Sequence, residues 1–218
     1  MLRYLLLIFT LVTLSSCFDI IEDVKVNSDG TGSVKFTFSF FESREFLTSV
    51  MNMDSLDGFK VPSKEEIEKN LKENEEFVEA VEGIDNYQYE INWDYFIFKM
   101  SFDFDSIQSV NTLFQKSVKH GDDSTLIDFN PYSFSNGEFH RYNKIMESRR
   151  GNKLLGKYMS KFSSANYISI YRFDKEIESV SHPNTTITKD GKSCVNKLKL
   201  VSIINKQETL DNKIILKK

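Results

Sequence analysis

Val34, Phe36, Phe38 and Phe40 occupy every second position of one stretch, and Phe96, Phe98, Met100, Phe102 and Phe104 repeat the pattern further on. A period of two gives a strand one apolar face, which must be covered. Each row ends in a carboxylate and a serine (Glu42-Ser43, Asp105-Ser106), a pairing suited to starting a helix. A strand from Ile20 to Asn27 and the turn Ser28-Asp29-Gly30-Thr31-Gly32 precede the first row, which predicts a β-hairpin. Tyr87, Tyr89 and Ile91 form the strand before the second row.

Helices fill the spaces between these strands. Phe46, Leu47, Val50 and Met51 share one side of a short helix starting at Ser43. Ser63 and Glu66 form a capping box for a longer helix with the stripe Ile67, Leu71, Val78 and Val81, stopped at Gly83. Ile107, Val110, Phe114 and Val118 mark a helix after Ser106. A third unit places strands at 126–129 and 132–142, the latter turned at Asn136-Gly137, before a helix near 152–162. Strands at 167–173, 177–188 (bent at His182-Pro183-Asn184), 193–203 and 213–217 follow. The expected class is α+β: an antiparallel sheet of β-hairpins in strand–strand–helix units, helices on one side, and a sheet-rich C-terminal part.

The first sixteen residues do not belong to this pattern. Arg3 precedes an uncharged run from Leu5 to Leu14, interrupted only by Thr10 and Thr13. The run is shorter than the roughly 20 apolar residues that span a bilayer, and it has the form of a signal-peptide core. Leu14-Ser15-Ser16-Cys17 then resembles the lipobox of bacterial lipoproteins. That resemblance implies cleavage between Ser16 and Cys17, a diacylglyceryl anchor (palmitate among its acyl chains) on the Cys17 thiol, and a cell-envelope location. Phe18 after the cysteine implies the outer membrane under the sorting rule of enteric bacteria. Residues 1–16 are thus read as a signal peptide and 17–218 as one lipid-anchored domain, with 18–120 and 121–218 as possible halves.

The mature part also resembles a group of lipoproteins without assigned activity from AT-rich Gram-negative bacteria. The likeness rests on Cys17-Phe18-Asp19-Ile20, the Asn27–Gly32 hairpin, Met53-Asp54-Ser55-Leu56, and the Ser179–Asn184 turn followed by Lys189-Asp190-Gly191-Lys192. It implies location and fold only.

Chemistry-bearing residues are sparse. A net charge of −4 argues against nucleic acid as a partner. With Cys17 lipidated, Cys194 has no disulfide partner and reads as a small buried hydrophobe. His120-Gly121-Asp122-Asp123 lacks the convergent ligand set of a zinc site, and His140 and His182 read as packing or surface residues. No serine elbow or phosphate loop is present, so neither a catalytic residue nor a cofactor or metal is assigned.

Charge distribution is more informative. Arg149, Lys153, Lys157 and Lys161 recur every four residues beside Arg150, opposite Leu154, Leu155, Tyr158, Met159 and Phe162. This basic amphipathic helix is either a solvated face over a packed one or a contact for anionic lipid or another envelope protein. The leading expectation is a non-catalytic binding or assembly module held at the membrane. The alternatives are a carrier of lipid or another hydrophobic ligand in a Phe-lined concavity, and a hydrolase assembled from distant residues.

Overall fold

The computed structural model describes residues 18–120, 130–144 and 163–218. The expected signal peptide with Ser16 and Cys17, the strand at 126–129, and the basic segment with Arg149, Arg150, Lys153, Lys157 and Lys161 lie outside the described residues.

β1 (Asp19–Val26) and β2 (Gly32–Ser39) form the expected hairpin. A 3₁₀ turn (Phe41–Ser43) leads into α1 (Arg44–Met51), and a small hairpin, β3 (Ser55–Leu56) with β4 (Phe59–Lys60), follows. α2 (Lys64–Glu79) starts at the Ser63–Glu66 capping box, both of whose reciprocal bonds are made. β5 (Ile84–Asn92) and β6 (Ile97–Phe104) repeat the hairpin, and α3 (Ile107–His120) follows, with Ser106 Oγ accepting from the Ser109 amide at 3.3 Å. Ser43 makes no such cap bond, so the shared carboxylate–serine pair ends both rows but caps only the second helix.

β7 (Tyr132–Ser135) and β8 (Glu138–Arg141) are joined by Asn136-Gly137, with φ of 51° and 77°. Both angles are positive, as a two-residue type I′ hairpin turn demands. The C-terminal strands are β9 (Asn166–Phe173), β10 (Ile177–Val180), β11 (Thr185–Ile187), β12 (Ser193–Lys199) and β13 (Asn212–Leu216). The expected strand through Ile203 stops at Lys199, where the chain coils into α4 (Leu200–Ile204). Coiling brings Ile203 back beside Leu198 and Leu210 in a second apolar cluster, which an extended chain would leave open.

The fold is α+β and antiparallel-dominated. One sheet of seven strands runs β11-β12-β9-β1-β2-β6-β5, and a second of four runs β10-β13-β8-β7. The departure from a pure hairpin sheet is β1–β9, which pair in parallel from Asp19↔Asn166 to Val26↔Phe173. A parallel pair needs a long crossover, and the chain supplies one by building β2 through β8 first.

Register explains the core. Phe102, Val34, Val24, Tyr171 and Cys194 lie side by side across β6, β2, β1, β9 and β12, and all five are buried. The second sheet covers this face: Phe139 on β8 stands 5.0 Å from Tyr171 and 5.8 Å from Phe173. α3 closes the gap between sheets, placing Phe114 6.0 Å from Phe36 and 6.1 Å from Tyr132. The Asn111 side chain fixes it there, donating to the Tyr132 carbonyl at 2.8 Å and accepting from its amide at 3.2 Å. The opposite face of the large sheet bears Asp23, Lys35, Lys99 and Arg172, as one-sided burial of an antiparallel sheet requires.

Candidate functional site

The next row across the large sheet breaks the apolar pattern. Met100, Phe36, Glu22, Ser169 and Asn196 are in register, and Glu22 is 0% exposed at the centre of the fold. A buried carboxylate is tolerated only when paired and hydrogen-bonded. β8 supplies the partner: Arg141, 4% exposed, donates through Nε to Glu22 Oε1 at 3.1 Å and through Nη2 to Oε2 at 3.3 Å. From β9, the Tyr171 hydroxyl donates to Oε1 at 2.9 Å and the Tyr167 hydroxyl to Oε2. The remaining Arg141 nitrogen, Nη1, donates to the carbonyls of Tyr142 and, at 3.2 Å, Lys144, while its guanidinium lies 5.3 Å from the centre of the Tyr132 ring.

The electrostatics follow from that closure. Burial, reinforced by the Glu22 charge, pushes the hydroxyls of Tyr132, Tyr167 and Tyr171 far above the ordinary phenol range. Burial alone would lower the Arg141 guanidinium, but Glu22 together with Tyr167, Tyr132 and Tyr171 outweighs it and holds the group firmly charged. Both Glu22 oxygens and all three Arg141 nitrogens are engaged inside the protein, so the cluster is a strut between the two sheets. Periodicity alone did not single out these residues. The available signal was a charge at an apolar position: Glu22 alternates with Ile20, Val24 and Val26, and Arg141 with Phe139.

Two surfaces lie at opposite ends of β1. Beyond Val26, an open depression of about 380 Å³ is lined by Lys25, Asn27, Asp85, Asn86, Asp103 and Asp105, among others. Asn86 spans it with a hydrogen bond to Asp103 at 2.8 Å. At the other end, about 25 Å away along the strand at 3.3 Å per residue, aromatic side chains gather. Phe18 stacks on Phe40 at 5.1 Å, Phe40 meets Phe98 edge-on, and Trp93 in the β5–β6 turn contacts both Phe96 and Phe98.

The residues singled out from sequence are dispersed. Cys194 is fully buried and its thiol is pushed up to about 12 by desolvation. His140 faces Asp211 at 3.0 Å. His182 is buried, with Nε2 3.1 Å from the Thr209 carbonyl and Nδ1 accepting from the Asn184 amide. The two imidazoles therefore serve separate local networks. No group of three or more His, Cys, Asp or Glu side chains arranged to hold a metal occurs among the described residues.

The phenylalanine rows divide: Phe102 and Phe104 are buried and Phe36 packs against that core beneath Phe114, whereas Phe38, Phe40 and Phe98 are half-buried outside it. No family model matches the sequence, and no curated protein matches it. Among solved structures, the folded domain of the Mycobacterium tuberculosis protein LppM, determined by NMR, is similar at 10% identity and a TM-score of 0.44, over 92% of this chain and 89% of that chain.

Proposed function

We propose that this chain is a lipid-anchored lipoprotein of the bacterial cell envelope, placed at the outer membrane, and that it works as a non-catalytic binding or assembly module. The observation behind this reading is the junction between motif and fold. Cys17 ends the lipobox-like sequence, and regular strand begins at Asp19, only two residues on. A signal-type leader with an acylated cysteine would therefore tie β1, a central strand, directly to the lipid.

The non-catalytic part draws on what the polar residues already do. Glu22, Arg141, His140 and His182 are each engaged in bonds that hold elements together. Packing of Phe36 and Phe102 in and against the core takes up half of the Phe lining that a carrier would use, which favours the binding-module reading. The partners envisaged are the membrane, through the lipid, and another envelope protein.

Metabolic labelling with palmitate and membrane fractionation test the anchor. Wild-type protein is expected to take up label and sediment with membranes, and Cys17→Ser to lose both. A Cys17→Ser protein cleaved of its leader yet still firmly membrane-bound would overturn the reading.

A further inference from the structure

The aromatic end of the large sheet has an overhanging excursion. Residues 41–63 leave the sheet at Phe40, whose amide donates to the Phe96 carbonyl, and return at Lys64, whose ammonium lies 5.1 Å over the Trp93 ring. Both ends of the excursion are thus pinned at the Phe18 end of the fold. It carries apolar residues along its length, yet Ser43 is its only buried residue among those whose burial is described. α1 has no fully buried residue: its apolar face, Phe46, Leu47, Val50 and Met51, is half-buried, and Arg44, Glu45, Thr48 and Ser49 face outward. Phe41 is 40% exposed, Met53 46%, and Tyr95 in the adjoining turn 47%, with the Phe41 and Tyr95 rings 5.5 Å apart. Soluble surfaces rarely gather large apolar side chains in this way without a partner.

We propose that this rim, formed by Phe41 and Tyr95 with Met53 beyond α1, is a membrane-contact surface that seats the domain on the lipid bilayer. The inference rests on acylation at Cys17, since that is what brings the bilayer to this end. Cys17 directly precedes Phe18 in the sequence, and Phe18 stacks within the aromatic cluster. The acyl chains then enter the membrane beside the rim, where amphipathic aromatic rings favour the headgroup region.

Charge narrows the kind of lipid. Between residues 41 and 60, Glu42, Glu45, Asp54 and Asp57 outnumber Arg44 and Lys60. The excursion therefore offers no net attraction to anionic headgroups, and the contact is apolar and interfacial. The depression with Asp85, Asp103 and Asp105 points away from the membrane at the far end of β1.

The full lipidated chain, reconstituted in phosphatidylcholine vesicles, tests this with an environment-sensitive fluorophore on single cysteines at Phe41→Cys, Tyr95→Cys and, at the distal end, Lys189→Cys. Cys194 is buried and its thiol unreactive, so it does not compete for label. Labels at positions 41 and 95 are expected to shift to the blue and lose emission when the lipid is brominated near the headgroup, at low and high salt alike. The label at 189 is expected to do neither. Vesicle flotation with no difference among the three positions would overturn the rim while leaving the anchor intact; failure of the wild-type chain to float would refute the anchor itself. Quenching that requires anionic lipid and vanishes in salt would also overturn the apolar contact. So would crosslinking of position 41 or 95 to an envelope protein without lipid quenching.

Discussion

Removing Arg141 should expose how the two sheets are held together. Arg141→Met deletes the donors that reach Glu22 at 3.1 and 3.3 Å and leaves a carboxylate at 0% exposure with only two tyrosine hydroxyls. Breaking a buried pair on one side costs about 3–5 kcal/mol, because the remaining charge stays desolvated. In a domain of this size each kcal/mol lowers the melting temperature by about 2–4 °C, so a fall of about 10 °C is expected. The sharper measurement is the double-mutant cycle with Glu22→Gln. In the wild-type background Glu22→Gln strands the guanidinium and destabilises by a similar amount. In the Arg141→Met background it removes the stranded charge and should restore about 1–2 kcal/mol. Denaturant unfolding of the four proteins gives the signs directly. Additive losses, or a single Arg141→Met loss below about 1 kcal/mol, would refute the account of Glu22–Arg141 as a closed strut.

Other consequences follow from the same packing. Asn111→Ala should cost about 3 kcal/mol in chemical denaturation, since it strands both the amide and the carbonyl of Tyr132 in the interior. Gly32→Ala would set a Cβ 1.9 Å from the Lys25 carbonyl oxygen and 2.5 Å from the Phe104 ring; a loss of about 3 kcal/mol, with the β1–β2 hairpin losing amide protection first, is the expected result. Alkali should unfold the protein cooperatively. Tyr132, Tyr167, Tyr171 and Cys194 all have their acid forms favoured in the fold. The stability they hold is complete below their unfolded values, about 8.5 for the thiol and 10 for the phenols. It falls as pH rises above those values, by about 1.4 kcal/mol per pH unit for each group. The tyrosinate signal of Tyr132, Tyr167 and Tyr171, read as the difference from the corresponding Phe variants, should then appear only with loss of circular dichroism, whereas ionisation of these three in a folded protein near pH 10 would contradict their burial.

The alternating aromatic rows were legible because a period of two is a local property, and β1, β2 and β6 follow it residue by residue, while β5 breaks it at a register shift between Asp85 and Gln88. The Ser63–Glu66 cap and the Asn136-Gly137 turn were legible for the same reason: each is settled within four residues. The parallel β1–β9 pair was not, since nothing near Asp19 encodes its partner at Asn166. The turn of helix after Lys199 depends on Leu210 and Tyr167, both remote from it in sequence or across the sheet. The strut between Glu22 and Arg141 spans 119 positions, and a charge at an apolar strand position marks each residue without naming its partner. The rim was half visible: the apolar face of α1 could be read from Phe46, Leu47, Val50 and Met51, but not that Phe41, Met53 and Tyr95 around it would stay exposed.

The central place of β1 has a mechanical consequence. A lipid anchor pulls on whatever strand it is tied to, and here the load would enter at Phe18 and run along the axis of β1. That strand is held by eight register pairs to β2 on one side and eight to β9 on the other. Its ladder bonds lie across the direction of pull, so they resist sliding together instead of opening one after another. A domain hung from an edge strand would peel under the same force; this one is gripped on both sides at the point where the membrane would tug.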